Sequence, residues 1–161
     1  FIETYLRDPM IIAVATIVFG LLLWASDKLM LQIRKTENLD WPEFVTIGLF
    51  QILALIPGTS RSGITMTAGR FQGMERTEAA RFSMLLSIPA IGGAGTLKII
   101  DLIAEQNAEL TMAAIWAAGL AFIFALLSIW WLMKWLERAS FTIFVVYRVF
   151  IGLLILAIIT F

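Results

Sequence analysis

The sequence predicts an all-α integral membrane protein, with four transmembrane helices and one re-entrant helical hairpin. Three observations predict it. Of its 161 residues, 60% are hydrophobic and only 15% charged, with a mean hydropathy of +0.90; a soluble domain carries about 25% charged residues. Long uncharged runs recur at Met10–Ser26, Phe82–Leu97 and Ala113–Met133, and the final stretch from Ser140 carries one charge, Arg148. Lastly, a polar turn, Ile56-Pro57-Gly58-Thr59-Ser60-Arg61-Ser62-Gly63, interrupts apolar sequence that is uncharged from Phe44 to Ile56 and from Ile64 to Gly69.

The first helix starts at Asp8-Pro9, with Asp as N-cap and Pro at the first helical position, and runs to about Leu31. A crossing helix needs about 20 residues, so it qualifies. A charged connector follows over 32–40. Asp40 with Glu43 has the spacing of a capping box, Pro42 is tolerated in a first turn, and Trp41 suits a membrane interface. The next helix, about 41–55, stops at Pro57-Gly58. It rises about 22 Å, short of a hydrocarbon core about 30 Å thick.

A second short helix is expected from Ser62 to about Gln72, rich in small residues that allow close approach. Two half-length helices around one polar turn read as a hairpin over 41–72 that enters and leaves on one side. A long helix is expected from Thr77 to Ala104, kinked at Pro89, with Gly92, Gly93 and Gly95 marking a close packing face. An acidic loop spans 105–110, Thr111 caps the next helix, and Trp130, Trp131 and Trp135 form an interfacial belt at its end. Ser140 opens the last span.

Basic loops set the orientation. Arg34 and Lys35, then Arg70, Arg76 and Arg81, then Lys134 and Arg138 lie in three connectors; Lys98 sits among Asp101, Glu105 and Glu109 in a fourth. Placing the first three in the cytoplasm and the fourth outside alternates every span, provided that 41–72 does not cross. Both ends of the chain then lie outside. The first residue is Phe1 and no signal peptide precedes the first apolar run, so residues 1–161 read as a single incomplete membrane domain.

The polar turn carries the chemistry. An arginine near the bilayer centre costs about 2.5–3.5 kcal/mol on insertion scales. A helix that begins there presents free N–H groups and about half a positive charge. Gly58 and Gly63 let backbone amides approach a ligand, Thr59, Ser60 and Ser62 add hydroxyls, and Arg61 adds a planar fork of donors. This is an anion site, best suited to phosphate or diphosphate. Pro-Gly and Ser-Gly are also ordinary turn signals; the arginine is the more specific feature. Arg148 is open to structural pairing or to function. Arg70 and Arg81 are expected to face headgroups, with Glu75 and Glu78 as surface partners.

Other chemistries are excluded or left unsupplied. Net charge is zero, which gives no basis for nucleic-acid binding. Cysteine and histidine are absent, removing thiolate metal sites and the commonest general base. No acid lies near the turn in sequence, so nothing visible activates Ser60 or Ser62 as a nucleophile.

Phe50-Gln51, Ala54-Leu55 and Pro57-Gly58-Thr59-Ser60-Arg61-Ser62-Gly63 resemble the second signature, PG-x-SRSG, of the bacterial undecaprenyl-diphosphatase (bacitracin-resistance) family. Ala79-Ala80-Arg81-Phe82-Ser83, Leu85-Leu86 with Pro89, and Tyr147-Arg148 fit as well. The likeness covers essentially the whole chain as the family's C-terminal part. It implies the second half of an inverted repeat whose two re-entrant hairpins meet near the membrane centre. It also implies hydrolysis of undecaprenyl diphosphate to the monophosphate in the bacterial inner membrane. Arg61 would clamp the diphosphate, with Ser60 as the second catalytic residue and Gly58, Thr59, Ser62 and Gly63 binding substrate. The family's other signature supplies paired glutamates, a serine and a histidine, with magnesium or calcium as the divalent cation that the glutamates would serve. This chain has no counterpart to it and supplies no metal ligand.

Two rivals remain at this level. One is half of an inverted-repeat transporter or flippase, binding an anionic headgroup without chemistry. The other is a truncated chain that acts only with partners, an N-terminal half or further copies of itself.

Overall fold

A computed structural model describes residues 8–105 and 107–160, Ala108 by its backbone alone. The polar lead over 1–7 lies outside the described residues. Among the described residues six α-helices follow one another: α1 Pro9–Leu29, α2 Trp41–Phe50, α3 Arg61–Phe71, α4 Arg76–Ala104, α5 Ala108–Leu136 and α6 Thr142–Thr160. Short 3₁₀ turns occupy Thr36–Asn38 and Gln51–Leu55. No strand occurs among the described residues. Four helices, α1, α4, α5 and α6, are long and apolar enough to cross a membrane.

Local signals explain most boundaries. Asp8 Oδ1 accepts from Met10 N at 2.7 Å and Pro9 occupies the first turn of α1. Glu43 accepts from Asp40 N at 2.8 Å, closing the expected box at the start of α2. α2 runs into the 3₁₀ turn without a break and ends before Pro57. α4 continues through Pro89. At α5 the expectation needs correction. Asn107, not Thr111, is the N-cap, and its Oδ1 accepts from Glu109 N and Leu110 N at 3.0 and 3.1 Å. Residues 108–110, expected in a loop, are the first turn of the helix.

The burial pattern inverts that of a soluble protein. α3 is the least apolar helix, yet every residue from Gly63 to Arg70 is buried. Its polar side chains are small and bond locally: Thr65 Oγ1 reaches Arg61 O and Ser62 O, and Thr67 Oγ1 donates to Gly63 O at 2.8 Å. α5, almost purely apolar, has no buried residue in its candidate spanning window. Polar groups hide and apolar groups face outward, as a lipid solvent requires.

Around α3 the other helices are ordered by contact. α1 and α6 pack against each other in opposite directions: Gly20 faces Arg148, while Gly152 lies against Ile17 and Ala13, where a Cβ would come within 2.4 Å of Ile17 Cγ1. α4 packs on α3, and α5 on α4. One apolar cluster joins Leu23, Met66, Ala80, Leu136, Phe141 and Val145. A second joins Leu39, Ile47, Ala68, Met74 and Ala79. Gly92, Gly93 and Gly95 do not mark a packing face among the described residues: nothing lies within 4 Å of where their Cβ atoms would be.

The three basic connectors gather at one end. Arg34 N donates to Gly73 O at 3.1 Å and Glu75 N to Arg34 O at 2.9 Å. Arg34 also forks onto Glu43, with Nη2 2.9 Å from Oε2, and Nη2 reaches Asn38 O at 2.6 Å. Hydrogen bonding to Arg34 holds the Glu43 carboxyl below its usual range and raises Arg34. Glu137, after α5, shares one hollow with Gln32, Glu75 and Arg76. The segment from Trp41 to Phe71 therefore starts and finishes at the same end of the molecule.

Candidate functional site

The tip of that segment is built on two unusual backbone conformations. Gly58 has φ +93° and presses against α1, where a Cβ would fall 2.4 Å from Ile12 O. Ser60 has φ +66°, which side-chain-bearing residues rarely adopt. Its hydroxyl oxygen accepts from Gly63 N at 3.3 Å, making Ser60 the N-cap of α3. Thr16 Oγ1 on α1 lies 2.7 Å from Ile12 O and 3.3 Å from Gly58 O. Behind α3, the buried hydroxyls of Thr65 and Ser83 are 2.6 Å apart, and Ser83 approaches Ser62 O at 3.4 Å.

α1 serves as a ruler for depth. The base of α3 meets it at Asp27 and the tip meets it near Thr16. Those positions differ by about 16 Å along a helix about 31 Å long, at 1.5 Å per residue. The tip thus sits part-way along α1, about 20 Å from its Leu29 end and about 10 Å from its Pro9 end.

Against the tip lies a cavity of about 270 Å³ between α1, α3, α5 and α6. Ser60, Ser62, Gly63 and Arg148 form its polar end, while Leu23, Met66, Leu132, Phe141 and Phe144 supply apolar walls. Tyr147 also lines it. Arg148 Nη2 donates to Gly58 O at 2.6 Å and Thr59 O at 2.8 Å. Its Nε and Nη1 make no hydrogen bond among the described residues, and no acid there lies within ion-pair distance. A Cβ on Gly63 would stand 2.9 Å from Arg148 Nη1. The bare glycine makes room for the guanidinium.

Of the sequence-derived site residues, the structure brings Ser60, Ser62 and Gly63 into one cavity. Gly58 and Thr59 enter through their carbonyls, as acceptors for Arg148. Arg61 occupies the first turn of α3 but is not in the cavity wall; its Nη1 is buried and has no partner among the described residues. Thr59 is fully buried and its hydroxyl is likewise unpaired. Arg148, left open by the sequence between structural pairing and function, holds two carbonyls of the turn and lines the cavity. Its signal was a single cation in an otherwise uncharged span, but the partner lies 90 residues away along the chain.

Arg70 overturns an expectation. It does not face headgroups: it is fully buried, with Nε 3.4 Å from Asp27 Oδ1, and donates to the carbonyls of Asp27, Met30 and Met74. Arg81 does sit outward, 4.0 Å from Glu78.

The arrangement offers donors converging on a small volume: a guanidinium edge, hydroxyls and the first N–H groups of a helix. That suits an anion whose remainder is apolar. It does not by itself suit the divalent cation that the resemblance implies. No carboxylate lines the cavity, and no three acidic side chains gather among the described residues.

Comparison with known proteins bears on the same residues. The sequence model of a family described as "Bacitracin resistance protein BacA" matches residues 1–154. An undecaprenyl-diphosphatase of Alteromonas mediterranea is 45% identical over 155 residues, covering 96% of this chain and 58% of the relative. One of Erythrobacter litoralis is 49% identical over 152 residues, covering 94% and 53%. The undecaprenyl-diphosphatase 2 of Stutzerimonas stutzeri is 47% identical over 159 residues, covering 97% and 59%. The chain spans little more than half the length of these relatives.

Proposed function

Since the chain belongs to the bacitracin resistance protein BacA family, we propose that it forms the phosphate-binding part of an undecaprenyl-diphosphatase of the bacterial inner membrane. The substrate is undecaprenyl diphosphate, and the products are the monophosphate and phosphate, in recycling of the cell-wall lipid carrier. The relatives' names favour this over a transporter. The observation that carries it is the two-sided cavity, with donors at one end and hydrocarbon walls at the other. A prenyl diphosphate has the same two-sided chemistry.

In this reading residues 41–72 are a re-entrant hairpin entered from the cytoplasmic side. Its half-length helices, the clasp at its open ends and a tip that lies part-way along α1 support that topology. Arg148 offers Nε and Nη1 to phosphate oxygens. The free N–H groups of Arg61 and Ser62 add the positive end of α3. The Ser60 oxygen is engaged by Gly63 N, which leaves its O–H to donate. Arg61 stands in the same turn outside the cavity wall, with one unpaired guanidinium nitrogen that a diphosphate would have to reach from the tip. Phosphoanhydride cleavage moves negative charge onto the leaving and transferred oxygens, and fixed donors in a dry site stabilise that shift. No carboxylate lines the cavity to activate a serine or to hold a magnesium or calcium ion.

The test is phosphate release from undecaprenyl diphosphate in proteoliposomes. Arg148→Gln and Arg61→Ala should each lower turnover about 10²–10³-fold, the usual loss for one fixed donor. Near-normal turnover in both variants would remove the clamp.

A further inference from the structure

At the opposite end of α3 from the cavity lies a buried charge cluster that the proposed chemistry does not use. Asp27, in the last turn of α1, is 2% exposed. One of its oxygens, Oδ1, serves two arginines: Arg76 Nε at 2.7 Å and Arg70 Nε at 3.4 Å. Oδ2 is buried without a partner among the described residues. Arg70, in the last turn of α3, crosses to α1 and donates to Asp27 O at 3.3 Å and Met30 O at 3.2 Å. A helix leaves its last carbonyls unsatisfied, and a cation there also meets the negative end of the dipole. Arg70 of one helix thus closes the end of another, and the Asp27 carboxylate fixes the angle at which it does so.

We propose that Asp27, Arg70 and Arg76 form a depth stop that sets how far the polar tip reaches between α1 and α6. These are positioning residues, and their effect on turnover rests on the function proposed above. α3 is short and rigid, about 14 Å from Arg61 to Arg70 at 1.5 Å per residue. A slide at its base is therefore delivered undiminished to its tip. There Arg148 holds two carbonyls at 2.6 and 2.8 Å. A slip of one residue's rise, about 1.5 Å, breaks both contacts and re-aims the amides of α3. Misplacement of about 1 Å can cost 10²-fold in rate.

The chain has no cysteine, so a single reporter thiol is clean. Leu55→Cys, in the exposed 3₁₀ turn beside the tip, is labelled in vesicles with a membrane-impermeant maleimide. The expected result is slow labelling in the parent, at least tenfold faster labelling with Asp27→Asn, and recovery with Asp27→Glu. Phosphate release from undecaprenyl diphosphate should fall about 10²-fold in Asp27→Asn through kcat rather than KM, and also recover in Asp27→Glu. If Asp27→Asn does not fold, Arg76→Gln supplies the decision, because it leaves the Asp27–Arg70 pair in place; labelling should rise at least twofold. Parent-like labelling in these variants, or failure of Asp27→Glu to recover, overturns the depth stop. Labelling that shifts as expected while even the parent releases no phosphate upholds the stop and sinks the catalytic reading.

Discussion

Two residues at the tip place strict demands on their side chains. Gly58→Ala would put a methyl into the backbone of α1 at a φ that alanine resists, so a loss of more than about 1–3 kcal/mol of stability is expected, read as a lowered Tm in detergent. Gly63→Ala is subtler. The methyl would crowd Arg148 Nη1 at 2.9 Å, so the fold should survive while the guanidinium moves; anion affinity, measured by calorimetry with inorganic diphosphate, should fall with little change in Tm. The residue scale is also where sequence reading stopped short. That Gly58, Ser60, Ser62 and Gly63 share one polar turn was legible because a polar motif inside apolar sequence is conspicuous. Arg148 and Arg70 were not, because their roles depend on carbonyls of other elements, and a carbonyl has no sequence signature.

At the level of elements, caps and stops were legible where the signal is local: Asp8-Pro9, Asp40 with Glu43, and Pro57-Gly58. The start of α5 was misread because Asn107 and Thr111 are both competent caps, and only the fold chooses between them. The glycines of α4 meet no packing partner among the described residues, since small residues permit close packing without requiring it. The clasp between Arg34 and Glu43 ties α2 to the turn after α3. The Glu43 carboxyl is held below its ordinary range. The clasp's contribution is therefore complete above the unfolded carboxylate value and is lost as pH falls through the lower folded one. The Tm gap between the parent and Glu43→Gln should be widest near neutrality and close in acid. A gap that stays constant with pH would mean that the clasp contributes packing alone. Ser83→Ala should cost about 1 kcal/mol, since Thr65 keeps its bonds to Arg61 O and Ser62 O.

For the whole molecule, the buried polar helix and the bare apolar helix describe one object, a protein whose solvent is lipid on the outside and whose polar groups face inward. The connectors make this testable. Thiols placed at Thr36, Thr77 and Arg138 should be labelled from one face of the membrane and a thiol at Asn107 from the other. Labelling of Thr36 and Thr77 from opposite faces would mean that the segment between them crosses, which would undo the hairpin reading.

The left-handed serine that opens α3 has a consequence for anyone engineering this chain. Glycine is at ease at φ +66° and serine is not, and such positions store about 1–3 kcal/mol. A laboratory screen that rewards heat resistance alone should drift toward Ser60→Gly. Its winners would be sturdier and would lack the hydroxyl that caps α3 and lines the cavity, so each round must also select for the proposed turnover.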